Sequence, residues 1–362
     1  GDAGDQLTVG EKNVAVGYDA LTADTKGSKS TAVGKGALTT QNFTSATDTH
    51  NTAVGHDACN DLTTALDTTA VGSEALSTVT TAHNNTAVGS KALKANTSGN
   101  NNTAVGKEAL TTNTTGYNNT AIGQLSMQDN TEGNANTAVG VGSLTDLTTG
   151  DENVAVGQNA GDALTTGSDN VVVGREAFST ATTSSSSTAV GYYALNATTT
   201  ANGNTAVGFE AGSANTTGYG NTFMGYRAGK AGTTSANNTF IGQTSGTAIT
   251  DDNCYNNVGV GHNSLASLTT GNSNVAVGQG ALEDITTVSQ NTAVGAYALA
   301  NLTSGTYSTA VGYNALNDVT TSNYNTCVGV GAGHVVTTGA HNVALGDDAL
   351  PTTTTGNYNI SI

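Results

Sequence analysis

One short phrase, Asn-Thr-Ala-Val-Gly, recurs along the whole chain and constrains its fold more than any other feature. The glycine of this phrase marks twenty copies, and seventeen of the nineteen spacings between successive glycines are 17 residues, the other two being 21 and 19. A fixed short period is typical of a solenoid, in which each unit buries its apolar side chains only against its neighbours. The repeat glycines are Gly17, Gly34, Gly55, Gly72, Gly89, Gly106, Gly123, Gly140, Gly157, Gly174, Gly191, Gly208, Gly225, Gly242, Gly261, Gly278, Gly295, Gly312, Gly329 and Gly346.

Each copy places the same kinds of side chain in the same columns. The residue before the glycine is Val, Ile, Met or Leu in every copy, and the residue two positions earlier is Thr or Val. This alternation is typical of a short strand, and it predicts that these two columns face inward while the Ala between them faces away. A mostly Leu column, four residues after the glycine, predicts a second core column. The predicted core ladder includes Val105, Leu110, Ile122, Val139, Val156, Val190 and Val207.

The repeat unit therefore predicts an all-β chain, a parallel β-solenoid or β-roll of about twenty coils. Each 17-residue unit would supply two short strands and two corners, and stacked units would pair along the whole array. Residues 1–12 are predicted to form a partial coil or cap, and residues 13–362 one continuous solenoid with an incomplete twenty-first coil. The extra residues near 41–50 and 250–256 fall in the same loop, which accepts an insertion more readily than a strand does.

The composition fits a thin structure and excludes several classes of partner. Tryptophan is absent, and Ala and Val make up much of the 36% hydrophobic share, so the interior of one coil is small. The net charge of −17 provides no basic footprint for nucleic acid. No apolar run approaches the ~20 residues that cross a bilayer, so no membrane insertion is expected. A thin core favours association with other copies, although a single-chain solenoid and an end-to-end filament remain alternatives.

The repeated phrase resembles the coil motif of trimeric autotransporter adhesin heads. The longer segment Thr114–Gly123 also resembles repeats in bacteriophage tail fibres. The resemblance covers residues 13–362 and implies a left-handed parallel β-roll, with three chains side by side or intertwined around one axis. The 17-residue coil is longer than the adhesin pattern.

Aromatic residues in neighbouring copies form one candidate binding site. Their column positions predict an exposed ladder that could stack against the sugar rings of a cell-surface polysaccharide, with two further rings in place of the outward Ala. Alternatively, the rings pack on one another and fill space where Gly212, Gly229 and Gly246 replace the core Leu. The candidate glycan-stacking residues are Tyr192, Phe209, Tyr226, Phe223 and Phe240.

The sequence gives no pattern for catalysis, a cofactor or a metal. His50, His56, Asp57 and Cys59 are close in sequence, but their spacing fits no known ligand set, so no metal site is expected. Carboxylates are scattered over variable positions without a cluster, which predicts that the chain is not an enzyme.

These observations predict a mechanical function. The first hypothesis is the shaft or head of an extracellular appendage, a phage tail-fibre segment that acts as a stiff rod and presents a receptor-binding tip. The second is a bacterial surface adhesin or filament subunit that binds glycan directly. The third is an ice-binding solenoid, although the adjacent threonines at the corners would point to opposite faces.

Overall fold

The computed structural model describes residues 2–250 and 253–362 of the chain. Contacts divide it into two compact units, Gly1–Ser184 and Ser185–Ile362. Both units are all-β, and between them they contain about twenty turns of parallel β-solenoid. The predicted all-β parallel β-solenoid of about twenty coils is therefore confirmed.

The first unit consists of short strands, one per coil, with two additional strands near its beginning. Within this unit the main strands pair in parallel with their equivalents in neighbouring coils, as in the register Thr103↔Thr120, Ala104↔Ala121, Val105↔Ile122. The described strands of this unit are β1 Val14–Val16, β2 Gly27–Ser28, β3 Thr31–Val33, β4 Thr47–Asp48, β5 Thr52–Val54, β6 Thr69–Val71, β7 Thr86–Val88, β8 Thr103–Val105, β9 Thr120–Ile122, β10 Thr137–Val139, β11 Val154–Val156 and β12 Val171–Val173.

The second unit repeats the same arrangement. Its strands also pair in parallel with the same register, for example Thr222↔Thr239 and Phe223↔Phe240. The described strands of this unit are β13 Thr188–Val190, β14 Thr205–Val207, β15 Thr222–Met224, β16 Thr239–Ile241, β17 Val258–Val260, β18 Val275–Val277, β19 Thr292–Val294, β20 Thr309–Val311, β21 Thr326–Val328, β22 Val343–Leu345 and β23 Ile360–Ser361.

The strands face the opposite way from the sequence prediction. Ala104 and the equivalent alanines from Ala32 onward are buried, whereas the flanking Thr and Val columns lie on the outer face. Ile122 and Val156 are 40% and 38% exposed. The predicted core ladder was therefore wrong for its valines and isoleucine, although Leu110 is fully buried. The outward residues of that ladder are Val105, Ile122, Val139, Val156, Val190 and Val207.

The turns explain why the small residue points inward. Instead of a second strand, each coil bends through residues with left-handed backbone angles, as at Glu108, Leu110 and Asn118, where φ is 57°, 52° and 59°. Bends this close together leave little width inside the coil, so the strand places Ala there, opposite the larger side chain of the Leu column. The prediction of two strands per unit was wrong for this reason.

A ladder of buried asparagines holds successive coils together. Asn136 donates from Nδ2 to the Gly150 carbonyl at 2.8 Å, and its Oδ1 accepts the backbone N–H of Asn153 at 2.9 Å. The same pair of bonds recurs one coil later, where Asn153 contacts Gly167 and Asn170. Each buried backbone group left without a partner would cost about 1–3 kcal/mol, so the ladder favours one fixed register.

The N-terminal residues and the first insertion also join the coil stack. Gly4 and Thr8 donate backbone hydrogen bonds to Ala20 and Thr25, so the first residues form a partial coil. The insertion near 41–50 folds into a loop in which β4 pairs with β2, and Phe43 is buried there. The insertion near 250–256 contains Asp251 and Asp252, which lie outside the described residues.

Candidate functional site

The outer face of the main strands is the most regular surface in both units. Two columns of side chains lie on it: Thr or Val at the first strand position and Val, Ile, Met or Leu at the third. No charged residue occurs in either column in any of the twenty copies. We call this surface the outer strand face. Its uncharged and mostly β-branched side chains follow one another from coil to coil within each unit.

The predicted aromatic ladder exists, but its rings stack on one another. Phe209 lies between Tyr192 and Tyr226, with centroid distances of 5.3 and 5.4 Å and interplanar angles of 18° and 11°. Tyr193 meets Tyr192 edge-on at 4.2 Å. Stacked rings cover each other's faces, and a sugar ring needs a free aromatic face. The geometry therefore favours the alternative of ring-on-ring packing at this ladder.

Charged side chains cover the end of the same ladder. The Arg227 guanidinium lies over the Tyr226 ring at 5.0 Å and donates to Glu210 at 2.9 Å, while Lys230 approaches the same carboxylate at 2.6 Å. The hydrogen bond from Lys230, with that from Arg227, lowers the pKa of Glu210. Because a lowered pKa favours the charged form, these contacts contribute fully above the ordinary glutamate range, and the contribution is lost as the pH falls from that range through the lowered pKa.

Phe223 and Phe240 are not surface residues, so the prediction that they stack against glycan is wrong. Both side chains are fully buried and stack on each other at 6.1 Å. They replace inward Ala, and the space that they fill is left by glycines of the Leu column. A Cβ on Gly212 would lie 2.5 Å from Phe223, and one on Gly246 would lie 2.6 Å from Phe240. The core is thus filled in these coils as in the others, but by a large side chain from the strand and not by one from the Leu column.

A second aromatic stack is formed by one ring from each of four successive coils, each in the turn before the main strand. Tyr307, Tyr324, His341 and Tyr358 follow one another with centroid distances of 5.0, 4.8 and 4.8 Å and interplanar angles of 12° or less. The sequence analysis did not predict this stack. The signal was available, since these residues are spaced 17 apart like the repeat glycines.

The histidines and acidic residues near Cys59 do not form a joint site. His56 pairs with Asp57 at 3.1 Å and His50 with Asp67 at 3.4 Å, both at the surface. Cys59 is buried in the Leu column, where burial raises the pKa of its thiol to about 12. Within residues 2–250 and 253–362, no group of three or more His, Cys, Asp or Glu side chains could hold a metal ion.

The buried cysteines give a direct prediction on reactivity. Cys59, Cys254 and Cys327 are all buried, and burial also raises the pKa of the Cys327 thiol to about 12. Because the thiolate is the reactive form, we expect no reaction of the native chain with an aromatic disulfide reagent at neutral pH. Three thiols should react after unfolding in guanidinium. Prompt reaction of the native chain would contradict the inward placement of these columns.

No protein-family model matches this sequence, and no curated protein matches it. Residues 2–250 and 253–362 contain no helix long and apolar enough to cross a membrane. The class of this protein is therefore defined by its fold alone, as a parallel β-solenoid repeat protein.

Proposed function

We propose that this chain is a structural segment of an extracellular appendage, in which three copies associate through the outer strand face. The observation that carries the proposal is the direction of the strands. Most of the described main strands turn Ala inward, and all of them leave two uncharged columns, mainly of Thr, Val and Ile, on the outer face. Monomeric proteins rarely leave extended apolar surface uncovered, so such a surface favours a partner.

The size of the outer strand face agrees with a stable association. A coil step of about 4.8 Å and a strand of three residues of about 10 Å offer about 50 Å² per coil. About ten coils then offer about 500 Å² in each unit, so the two units of one chain contribute about 1,000 Å² in all, compared with about 800 Å² per partner in a typical stable complex. A second copy is the partner that matches this face, because it carries the same two columns at the same spacing.

A mechanical role is supported by the bonding between coils. Backbone hydrogen bonds, asparagine ladders and corner threonines, such as Thr114 with Thr131, link each coil to the next. Such a ladder resists local opening because separating two coils breaks many bonds together. The resemblance of the repeat to phage tail fibres makes a tail-fibre shaft the first form of the proposal. A bacterial surface adhesin or filament is the alternative form.

The association has a direct test in the native mass. We expect light scattering coupled to size exclusion to give the mass of three chains. Placing charge at four outward positions should reduce the mass to that of one chain, because association would bury unpaired carboxylates. The variant carries Asp in place of four outward residues, Val88, Val156, Met224 and Val294.

A matched variant controls for charge and folding. It carries four aspartates at exposed corner positions, Thr81, Thr115, Thr149 and Ser304, and should keep the mass of three chains. A single-chain mass for the unmodified protein would overturn the trimer. Equal dissociation of both variants would show that the outer strand face is not the interface.

Ice binding is a second candidate that the strand direction favours. The outward column places Thr beside Val on a parallel sheet, with neighbouring threonines about 4.8 Å apart along the column. This array differs from the adjacent corner threonines considered in the sequence. A single-chain mass together with thermal hysteresis would support this candidate, and the absence of hysteresis would exclude it.

A further inference from the structure

One corner of the second unit departs from the repeat and forms a groove. We call the residues six positions before each repeat glycine the corner column; in three successive coils they are Tyr219, Ala236 and Tyr255. The backbone places them side by side, since Asn237 donates to the Tyr219 carbonyl at 3.0 Å and Ala236 bridges to Tyr255 in parallel. Tyr219 and Tyr255 are 58% and 41% exposed, while Ala236 is only 9% exposed. Two tyrosine walls therefore flank an alanine floor.

The spacing of the two tyrosines leaves room for one sugar ring. The backbones of Tyr219 and Tyr255 are two coil steps apart, which is about 10 Å. A ring in van der Waals contact with both walls needs about 7–8 Å. The cleft measures 390 Å³ and is also lined by Thr234 and Asn237.

A second depression continues the groove on the other side of Tyr219. It measures 530 Å³ and is lined by Asn202, Thr217, Gly203 and Gly220, among others. The two glycines stand five positions before a repeat glycine, where every other copy carries a side chain. A Cβ on Gly203 would meet no atom within 4 Å. The missing side chains thus open the surface next to Tyr219.

The lining points to one class of ligand. An amphipathic tyrosine offers an aromatic face to the C–H groups of a sugar, and the amide and hydroxyl groups of Asn and Thr bond to its hydroxyls. Among the described residues that line the two depressions, none carries a charge. We propose that this groove binds a neutral oligosaccharide, with one pyranose ring between Tyr219 and Tyr255 and the next against the other side of Tyr219.

This proposal goes beyond the structural role and is independent of the number of associated chains. It also differs from the ladder of Tyr192, Phe209 and Tyr226, whose ring faces are occupied by one another. Neither Tyr219 nor Tyr255 stacks on another ring in the described part of the chain. Their faces are thus open to a ligand.

The experiment uses the full chain on an array of neutral and acidic oligosaccharides, followed by titration with the strongest binder. We expect a neutral hexose or N-acetylhexosamine oligomer to bind. Tyr219→Ala and Tyr255→Ala should each weaken binding about tenfold or more, since each removes one stacking wall. Binding of acidic oligosaccharides alone, or of none, would overturn the proposal.

Two further variants separate binding from folding. Tyr117→Ala removes a tyrosine from the corner column of the first unit, 49% exposed, and should leave binding unchanged. Gly203→Asn restores the residue type found at the equivalent Asn118, where φ is 59°. It should fold normally and weaken binding by narrowing the groove. Equal losses of affinity in Tyr117→Ala and Tyr219→Ala would contradict the proposed site. Full binding by both Gly203→Asn and Tyr219→Ala would contradict it as well.

Discussion

Gly140→Ala is expected to lower the free energy of unfolding of the first unit by about 2–6 kcal/mol, the sum of backbone strain and overpacking. Gly140 has φ of 140°, which side chains rarely adopt. A Cβ would lie 2.6 Å from the carbonyl carbon of Gly157 and nearer to its oxygen. Relief requires the backbones of two coils to separate, so the ladder cannot absorb the methyl group locally. Denaturant unfolding followed by circular dichroism measures the change.

The control is a second Gly→Ala substitution, at a glycine where an added Cβ has no neighbouring atoms. Gly203→Ala lies at φ of 69° with no atom within 4 Å of the added carbon. It should cost only the left-handed penalty of about 1–2 kcal/mol. Similar losses in the two variants would mean that conformational strain, and not contact between coils, explains the repeat glycine.

Gly229→Leu and Phe223→Ala are each expected to lower the free energy of unfolding strongly, whereas the double variant should lose less than the sum of the two. A Cβ on Gly229 would lie 2.9 Å from Phe223 Cγ and closer to two other ring carbons, so leucine cannot enter beside the intact ring. Phe223→Ala alone should cost about 3–5 kcal/mol because it leaves a cavity. The double variant restores the common pair of inward Ala and Leu, and we expect a favourable coupling of at least about 1–3 kcal/mol.

The rescue can be measured with a double-mutant cycle on thermal and denaturant unfolding. Phe223 also fills the space beside Gly212, so recovery in the double variant should be incomplete. A matched control combines Phe223→Ala with Gly203→Ala, whose added carbon meets no atom within 4 Å and so makes no contact with Phe223; the two effects should add. Additive effects of Phe223→Ala and Gly229→Leu would contradict the exchange of volume across the core.

Sequence patterns predicted the ring-on-ring alternative and the general fold, but not the position of every aromatic residue. Tyr192, Phe209 and Tyr226 share a column because they are spaced 17 residues apart, and stacking follows from the coil step. The groove at Tyr219 and Tyr255 was not predicted. These two residues are 36 apart because of the second insertion, so period alone does not align them.

The sequence by itself determined the coil length, the parallel register, the loop that accepts insertions and the burial of the Leu column. A strict period fixes these features, because stacked equivalent residues must pair. Only the tertiary structure decided which strand face is inside. The alternation of side chains along a strand predicts that Ala104 points away from Thr103 and Val105, but it does not determine which of the two faces is the core. Close turns at Glu108 and Leu110 narrow the coil, so the small side chain goes in and the β-branched ones face out.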